Sequence, residues 1–180
     1  MTNLVKDVSA GKNPPDEINV VVDIPKGESN KYEYKEEGYV ELDRVLYSPF
    51  FYPVEYGFIP QSAGEDGDPL DVLLLTTYKT FPGCVIKARP LGMLVMSDEE
   101  GVDNKILAAP MPKVDPRFSE LKDINDVNSH LKKEIEHFFQ EMKRLEVEKF
   151  KFVKVEGWKG INEAKEIIKK AVAKYGNPNK

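Results

Sequence analysis

Three carboxylates, Asp66, Asp68 and Asp71, fall within six residues in the stretch GEDGDPLD, directly ahead of an apolar run at 70–75 (LDVLLL). Like charges packed this closely repel one another, so an ordinary fold has little reason to collect them. Gly67 gives the backbone freedom to turn, and Pro69 fixes φ and removes a donor, so the chain must turn here and then enter a strand. Asp71, between Leu70 and VLLL, already belongs to that strand. A solvated acidic turn accounts for Asp66 and Asp68 but poorly for Asp71. Oxygen ligands for a hard divalent cation account for all three. On this cluster alone both readings stay open. A helix–loop–helix calcium site fits badly, because its twelfth position would fall on Thr77 rather than a glutamate.

The rest of the chain reads as short strands with frequent turns, then helices. Residues 1–18 form an irregular lead-in marked by Gly11 and Pro14–Pro15, with a helical turn near 4–8. Strand patterns follow at 19–24, 30–35 and 39–46. In the second, Tyr32 and Tyr34 alternate with Lys31, Glu33 and Lys35, so a cation and a carboxylate project from one face. Further strands are expected at 84–88, with Cys84 a small buried strand residue, and at 91–96 and 105–109. Phe50, Phe51 and Phe58 are expected in the core. Between 128 and 148, Leu131, Ile135, Phe138, Met142 and Leu145 recur at steps of four and three, a helix with one buried stripe capped by Asn128 or Ser129. A last strand at 149–156 and a turn at Gly157–Trp158 precede a second helix, capped by Asn162 and stopped by Gly176 and Pro178. This pattern favours a small barrel or tightly curled sheet over a βαβ arrangement. With no repeat, low-complexity tract or linker, residues 1–180 are expected to form one domain.

A formal charge of −5 argues against a general nucleic-acid or anionic-membrane binder, while lysines gathered in a cleft still suit a small anion. One cysteine excludes an intrachain disulfide framework. Neither a secretory h-region nor a long apolar span is present, which makes cytoplasmic placement the expectation.

A second acidic cluster, Asp98, Glu99, Glu100 and Asp103, also lies just beyond an apolar strand, with Lys105 two residues on. For Glu99 and Glu100 a charged hairpin is the better account. Two acidic loops at strand ends are positioned to face a common site for two or more cations, with Asp68 near a water whose proton it accepts. Lys31, Arg44, Lys105 and Lys143 are individually ordinary surface cations, and Tyr52 and Tyr56 either donate to phosphate oxygens or pack.

These blocks, KYE at 31–33, DR at 43–44, FYPVEYG at 51–57, DGDPLD at 66–71, SDEEGVDNK at 97–105, HFF at 137–139 and KVEGW at 154–158, together resemble the soluble inorganic pyrophosphatases of the single-domain, prokaryotic-length family. The resemblance implies a mainly β fold with flanking helices, a small five-stranded OB-like β-barrel packed by two C-terminal α-helices. It implies hydrolysis of inorganic pyrophosphate to two phosphates by direct attack of an activated water, with several Mg2+ ions per site and a homo-oligomer, a hexamer. By that resemblance Glu33, Asp66, Asp71, Asp98 and Asp103 are metal ligands and Asp68 is the proton acceptor. Lys31, Arg44, Tyr56, Lys105 and Lys143 hold pyrophosphate and phosphate, and Tyr52 and Asp23 belong to the pocket shell. Two positions depart from the family pattern: Asp23 stands where glutamate is common, and Met142 where a tyrosine is usual. An OB-like module stacking single-stranded nucleic acid on tyrosines leaves the acids unexplained. A metal-buffering protein leaves the lysines unexplained.

Overall fold

Alternate residues of two short strands divide the hydrophobic core. The structure is a computed structural model and describes residues 3–35 and 37–176. Its strands are β1 (Ile18–Ile24), β2 (Asn30–Tyr34), β3 (Val40–Val45), β4 (Glu55–Phe58), β5 (Asp71–Leu74), β6 (Val85–Asp98), β7 (Gly101–Val102), β8 (Lys105–Pro110) and β9 (Lys154–Lys159). The helices are α1 (Ser129–Glu141), α2 (Val147–Phe150) and α3 (Ile161–Gly176). Leu73 of β5 and Leu107 of β8 join Ile135, Phe138 and Phe139 of α1 in one buried cluster. Their neighbours Val72, Leu74, Ile106 and Ala108 join Ala164, Ile168 and Ala171 of α3 in another. The period of two thus commits each strand to helices on both faces, and truncating one of the fully buried leucines to alanine costs about 2–5 kcal/mol.

The main sheet runs β1-β4-β5-β8-β6-β7, with β9 paired to β6 and a further pairing of β1 with β6. Most pairs are antiparallel, but β5 and β8 run parallel, with Val72 opposite Ile106. β2 and β3 form a separate ribbon. Gly57 is required where β4 crosses β1, because a Cβ there would lie 1.9 Å from the Val21 carbonyl oxygen.

Several expectations are corrected. The five-stranded OB-like barrel with two C-terminal helices is not the architecture. Among the described residues the main sheet has seven strands in mixed directions, the β2–β3 ribbon stands apart, and three α-helices occupy the C-terminal part. The strands not expected, β4 and β7, are four and two residues long and each contains a glycine, so a hydrophobic pattern is weakest there. The expected strand at 149–156 is instead the helix α2 followed by β9, which takes in Gly157 and Trp158. α1 ends at Glu141, and Leu145 is exposed. Phe51 is 61% exposed, whereas Phe58 is buried and Phe50 partly so. Cys84 is half-buried just before β6.

Asn128 does cap α1, its side chain accepting from the His130 and Leu131 amides. At α3 the side-chain acceptor is not Asn162 but the distant Asp123, whose Oδ2 takes the Ile161 amide at 3.1 Å. No helix among the described residues is long and apolar enough to cross a membrane.

Candidate active site

The mouths of β5 and β8, the turn before β5, the β6–β7 hairpin and one face of the β2–β3 ribbon enclose a cleft of about 620 Å³. Every site residue expected from sequence lines it: Asp23, Lys31, Glu33, Arg44, Tyr52, Tyr56, Asp66, Asp68, Asp71, Asp98, Asp103, Lys105 and Lys143.

Register places the central charges. Because β5 and β8 are parallel with Val72 beside Ile106, the preceding residues Asp71 and Lys105 are neighbours on one face. Lys105 is almost fully buried, and its Nζ lies 2.7 Å from both Asp71 Oδ2 and Asp103 Oδ1. It also donates to the Tyr56 hydroxyl at 3.1 Å, and that hydroxyl donates to Asp71 Oδ2. The ammonium lies 5.2 Å from the Tyr56 ring centre and 5.5 Å from that of Phe139. Burial opposes the charge on Lys105, but Asp71 and Asp103 outweigh it and hold the amine well above its usual value. Burial pushes Asp103 up to about 6, with Asp71 adding to the rise against the pull of Lys105.

Local chain geometry aims the other acids. Gly67 sits at φ +98°, in the left-handed region, and the Asp66 carboxylate accepts the Asp68 amide at 2.9 Å, closing an Asx turn that leaves Asp68 at the cleft. Burial, then Asp66 and Asp71, raise the Asp68 carboxyl above its normal value. Lys174 of α3 ties this turn down by donating to the Gly64 and Glu65 carbonyls. At the β6–β7 hairpin, Lys143 donates to Asp98 and Glu99 at 2.8 Å each.

Two irregularities in strand pairing serve the cleft as well. β1 shifts register between Val22 and Ile24, and Asp23 at that break accepts the Tyr34 amide at 3.2 Å. Its carboxyl is raised by burial and by Asp71. The β2–β3 ribbon shifts between Lys31 and Tyr32, opposite Arg44 and Leu42, which leaves Asp43 as the extra residue. Asp43 accepts from Lys31 at 3.1 Å and from Arg44 at 2.5 Å. Lys31 reaches Glu33 at 2.5 Å and Lys35 reaches it at 2.7 Å. Burial raises the Glu33 carboxyl, but these two lysines outweigh it and hold it below the usual value. Tyr52 is buried against Phe138, with ring centres 4.7 Å apart. Met142 is buried in the same cluster, as its place on the helical stripe implied.

The donor set is carboxylate oxygen throughout, with no thiolate or imidazole among these residues, and that is the chemistry of a hard divalent cation. The upward shifts of Asp23, Asp68 and Asp103 come first from burial, with neighbouring carboxylates adding to the rise, and a bound cation would offset both. Among the described residues no three acids, histidines or cysteines converge as a ready ligand set. Here the carboxylates close onto ammonium groups instead: Asp71 and Asp103 onto Lys105, Asp98 onto Lys143, Glu33 onto Lys31.

Glu99, read from sequence as a hairpin charge, is tied into the cleft by Lys143 and by Lys149 at 3.3 Å. Burial raises its carboxyl, but the Lys143 hydrogen bond and further contacts bring it down to about 2. Asp43 and Glu146 also pair with cations of the site, Asp43 with Lys31 and Arg44 and Glu146 with Arg44, and pattern reasoning assigned them no role. Asp43 carried a signal in its adjacency to Arg44, whereas Glu146 is one more acid in a charged segment.

Acids matched to cations and lysines matched to anionic oxygens, at the mouths of parallel strands, define a protein that processes phosphoryl groups with divalent metal. Comparison with known proteins narrows this class. The profile of the inorganic pyrophosphatase family matches residues 20–176. The inorganic pyrophosphatase of Sulfolobus acidocaldarius is 53% identical over 166 residues, 92% of this chain and 95% of that protein. That of Aquifex pyrophilus is 46% identical over 171 residues, 94% of this chain and 96% of the other. The crystal structure of inorganic pyrophosphatase from Thermus thermophilus matches with a TM-score of 0.93 at 41% identity, over 98% of this chain and all of that one (100%). The chain belongs to the inorganic pyrophosphatase family.

Proposed function

We propose that this cleft hydrolyses inorganic pyrophosphate to two phosphates in a metal-dependent reaction. The observation that carries the reading is Lys105, a buried ammonium fixed between Asp71 and Asp103 at 2.7 Å. One element of the site thus presents positive charge to a phosphate and paired carboxylates to cations. Asp66, Asp71, Asp98, Asp103 and Glu33 hold the metal, Mg2+ by its preference for carboxylate and phosphate oxygens, and several ions suit so many acids. When bound, the ions polarise phosphoryl oxygens and acidify a coordinated water.

The protein's own groups do the rest. Asp68, with its raised affinity for protons, accepts the proton of the water that attacks one phosphorus. The bridging P–O bond breaks and its electron pair leaves with the departing phosphate. Lys31, Arg44, Lys105 and Lys143 neutralise the phosphoryl oxygens through attack and departure, and Tyr56 donates beside them. No side chain is placed as a covalent nucleophile. Tyr52 and Asp23 shape the wall. Residues 1–180 act as a single domain, and the chain assembles as a hexamer, a reading that the exposed Tyr39, Leu42, Tyr47 and Phe51 support by giving neighbouring copies apolar surface.

Phosphate release from pyrophosphate, with and without Mg2+, tests the activity. Asp68→Asn is expected to lower kcat by about 10²–10⁴-fold without loss of fold. Release that ignores Mg2+, or full activity of Asp68→Asn, overturns the assignment. Multi-angle light scattering tests the hexamer.

A further inference from the structure

Arg44 reaches out of the ribbon towards the short turn that joins α1 to α2, where Glu146 meets it. Arg44 Nη2 lies 3.4 Å from Glu146 Oε2, while Nη1 lies 2.5 Å from Asp43 Oδ2. The Glu146 side chain is only 7% exposed. Glu146 stands at the N-cap of α2, where a carboxylate ordinarily turns to the first amides, yet its side chain makes no capping hydrogen bond. It gives up that role and points inward.

The pair is incomplete in a particular way. Arg44 Nε and Glu146 Oε1 are both buried and both lack a hydrogen-bond partner. A buried acid with an unmet oxygen and a buried guanidinium with an unmet N–H are each costly. Here the two unmet atoms belong to the two halves of one ion pair. Guanidinium and carboxylate match best fork to fork, through two parallel N–H···O bonds, and the pair as it stands has only its Nη2–Oε2 edge engaged. Pairing Nε with Oε1 would complete the fork, satisfy both atoms and leave Nη1 as the edge beside Asp43.

We infer that Glu146 is a positioning residue for Arg44: it fixes the guanidinium through the Nε–Nη2 edge, so that Nη1 is the edge offered to a phosphate oxygen. Its place in the chain adds to the effect. The Glu146 amide donates to the Lys143 carbonyl at 2.8 Å, so one tight turn carries both Lys143, held by Asp98 and Glu99, and Glu146, held by Arg44. Losing Glu146 leaves Arg44 charged but free to fold wholly onto Asp43, away from substrate.

The inference rests on the pyrophosphatase reading and is tested with steady-state phosphate release from magnesium pyrophosphate. In Glu146→Gln the KM is expected to rise roughly 10- to 100-fold, the span of one misdirected charge-assisted hydrogen bond, with kcat changed less than threefold. Glu146→Asp, which keeps the charge on a shorter arm, recovers part of the KM. Arg44→Lys cannot make the bidentate pair, so adding Glu146→Gln to it raises KM little further. Far-ultraviolet circular dichroism checks that each variant folds. If Glu146→Gln does not fold, Glu146→Asp and Arg44→Lys with their double variant carry the same comparison. An unchanged KM in Glu146→Gln, or KM effects that multiply independently in the double variant, overturns the inference. A parent protein that releases no phosphate refutes the functional reading instead, a distinguishable failure.

Discussion

Lys105→Met isolates the charge at the centre of the cleft. Methionine keeps most of the buried stem and removes the ammonium, leaving Asp71 and Asp103 facing each other without a counter-ion. At 2.7 Å each pair contributes roughly 6 kcal/mol of gross attraction at an effective dielectric of about 20. Removing the ammonium also removes its desolvation penalty, several kcal/mol. The carboxylates keep 26% and 21% of their surface, so water takes up part of the lost interaction. The net loss is therefore set at about 3 kcal/mol, the low end for breaking a buried pair. For a chain of this length that lowers Tm by about 6–12 °C in metal-free buffer at pH 8. Asp103 already carries a proton affinity raised from 3.8 to about 6, so the folded chain holds a proton that the unfolded chain releases in that window. Stability from this group is lost as pH rises through the window, and without Lys105 the window widens upward. The deficit is accordingly smaller at pH 5 than at pH 8. Mg2+ is expected to stabilise the variant more than the parent, because no ammonium competes for the carboxylates. Differential scanning calorimetry in chelator and in Mg2+, at both pH values, measures all three effects. A metal-free Tm within about 2 °C of the parent refutes the reasoning, as does a deficit that grows on acidification.

Two other outcomes follow from the same cleft. Glu99, whose folded pKa is brought from 4.5 down to about 2, adds stability that is present above 4.5 and lost as pH falls towards 2. Solvent screening limits this to about 1 kcal/mol, and urea midpoints at pH 5 and pH 3 should fall less between the two in Glu99→Gln than in the parent. Met142→Tyr places a larger ring at a packed position lining the cleft, costing about 1–3 kcal/mol in denaturant titration. Its new hydroxyl is expected to lower KM for pyrophosphate, and a KM equal to the parent's shows that the donor is immaterial.

What was legible in the sequence was the chemistry that a short window carries. DGDPLD shows a turn, an acid cluster and a strand starting at Asp71, because glycine, proline and a hydrophobic run each act locally. The alternation at 30–34 places Lys31 and Glu33 together for the same reason. What escaped depends on distant partners. β9 begins later than expected because residues 147–150 form the helix α2 first. Leu145 fits the helical period yet is exposed, since the helix stops before reaching it. Phe51 looked like core and lies at the surface. Asp123 caps α3 from a turn 38 residues away. Glu146 carries no mark of its role, for its importance lies in where Arg44 arrives.

The parallel run of β5 beside β8 has a consequence for how the protein comes into being. Antiparallel neighbours can zip from a hairpin, but parallel ones need an intervening crossover, here the whole β6–β7 hairpin. Asp71 and Lys105, 34 residues apart, therefore meet only after a long loop has closed. On the ribosome Asp71 and the acids of the turn before it emerge well before Lys105, the lysine that pairs with Asp71. The nascent chain carries this crowded negative charge without Lys105 until β8 has been made, and the cleft is complete only later still, once the segment that carries Lys143 has followed.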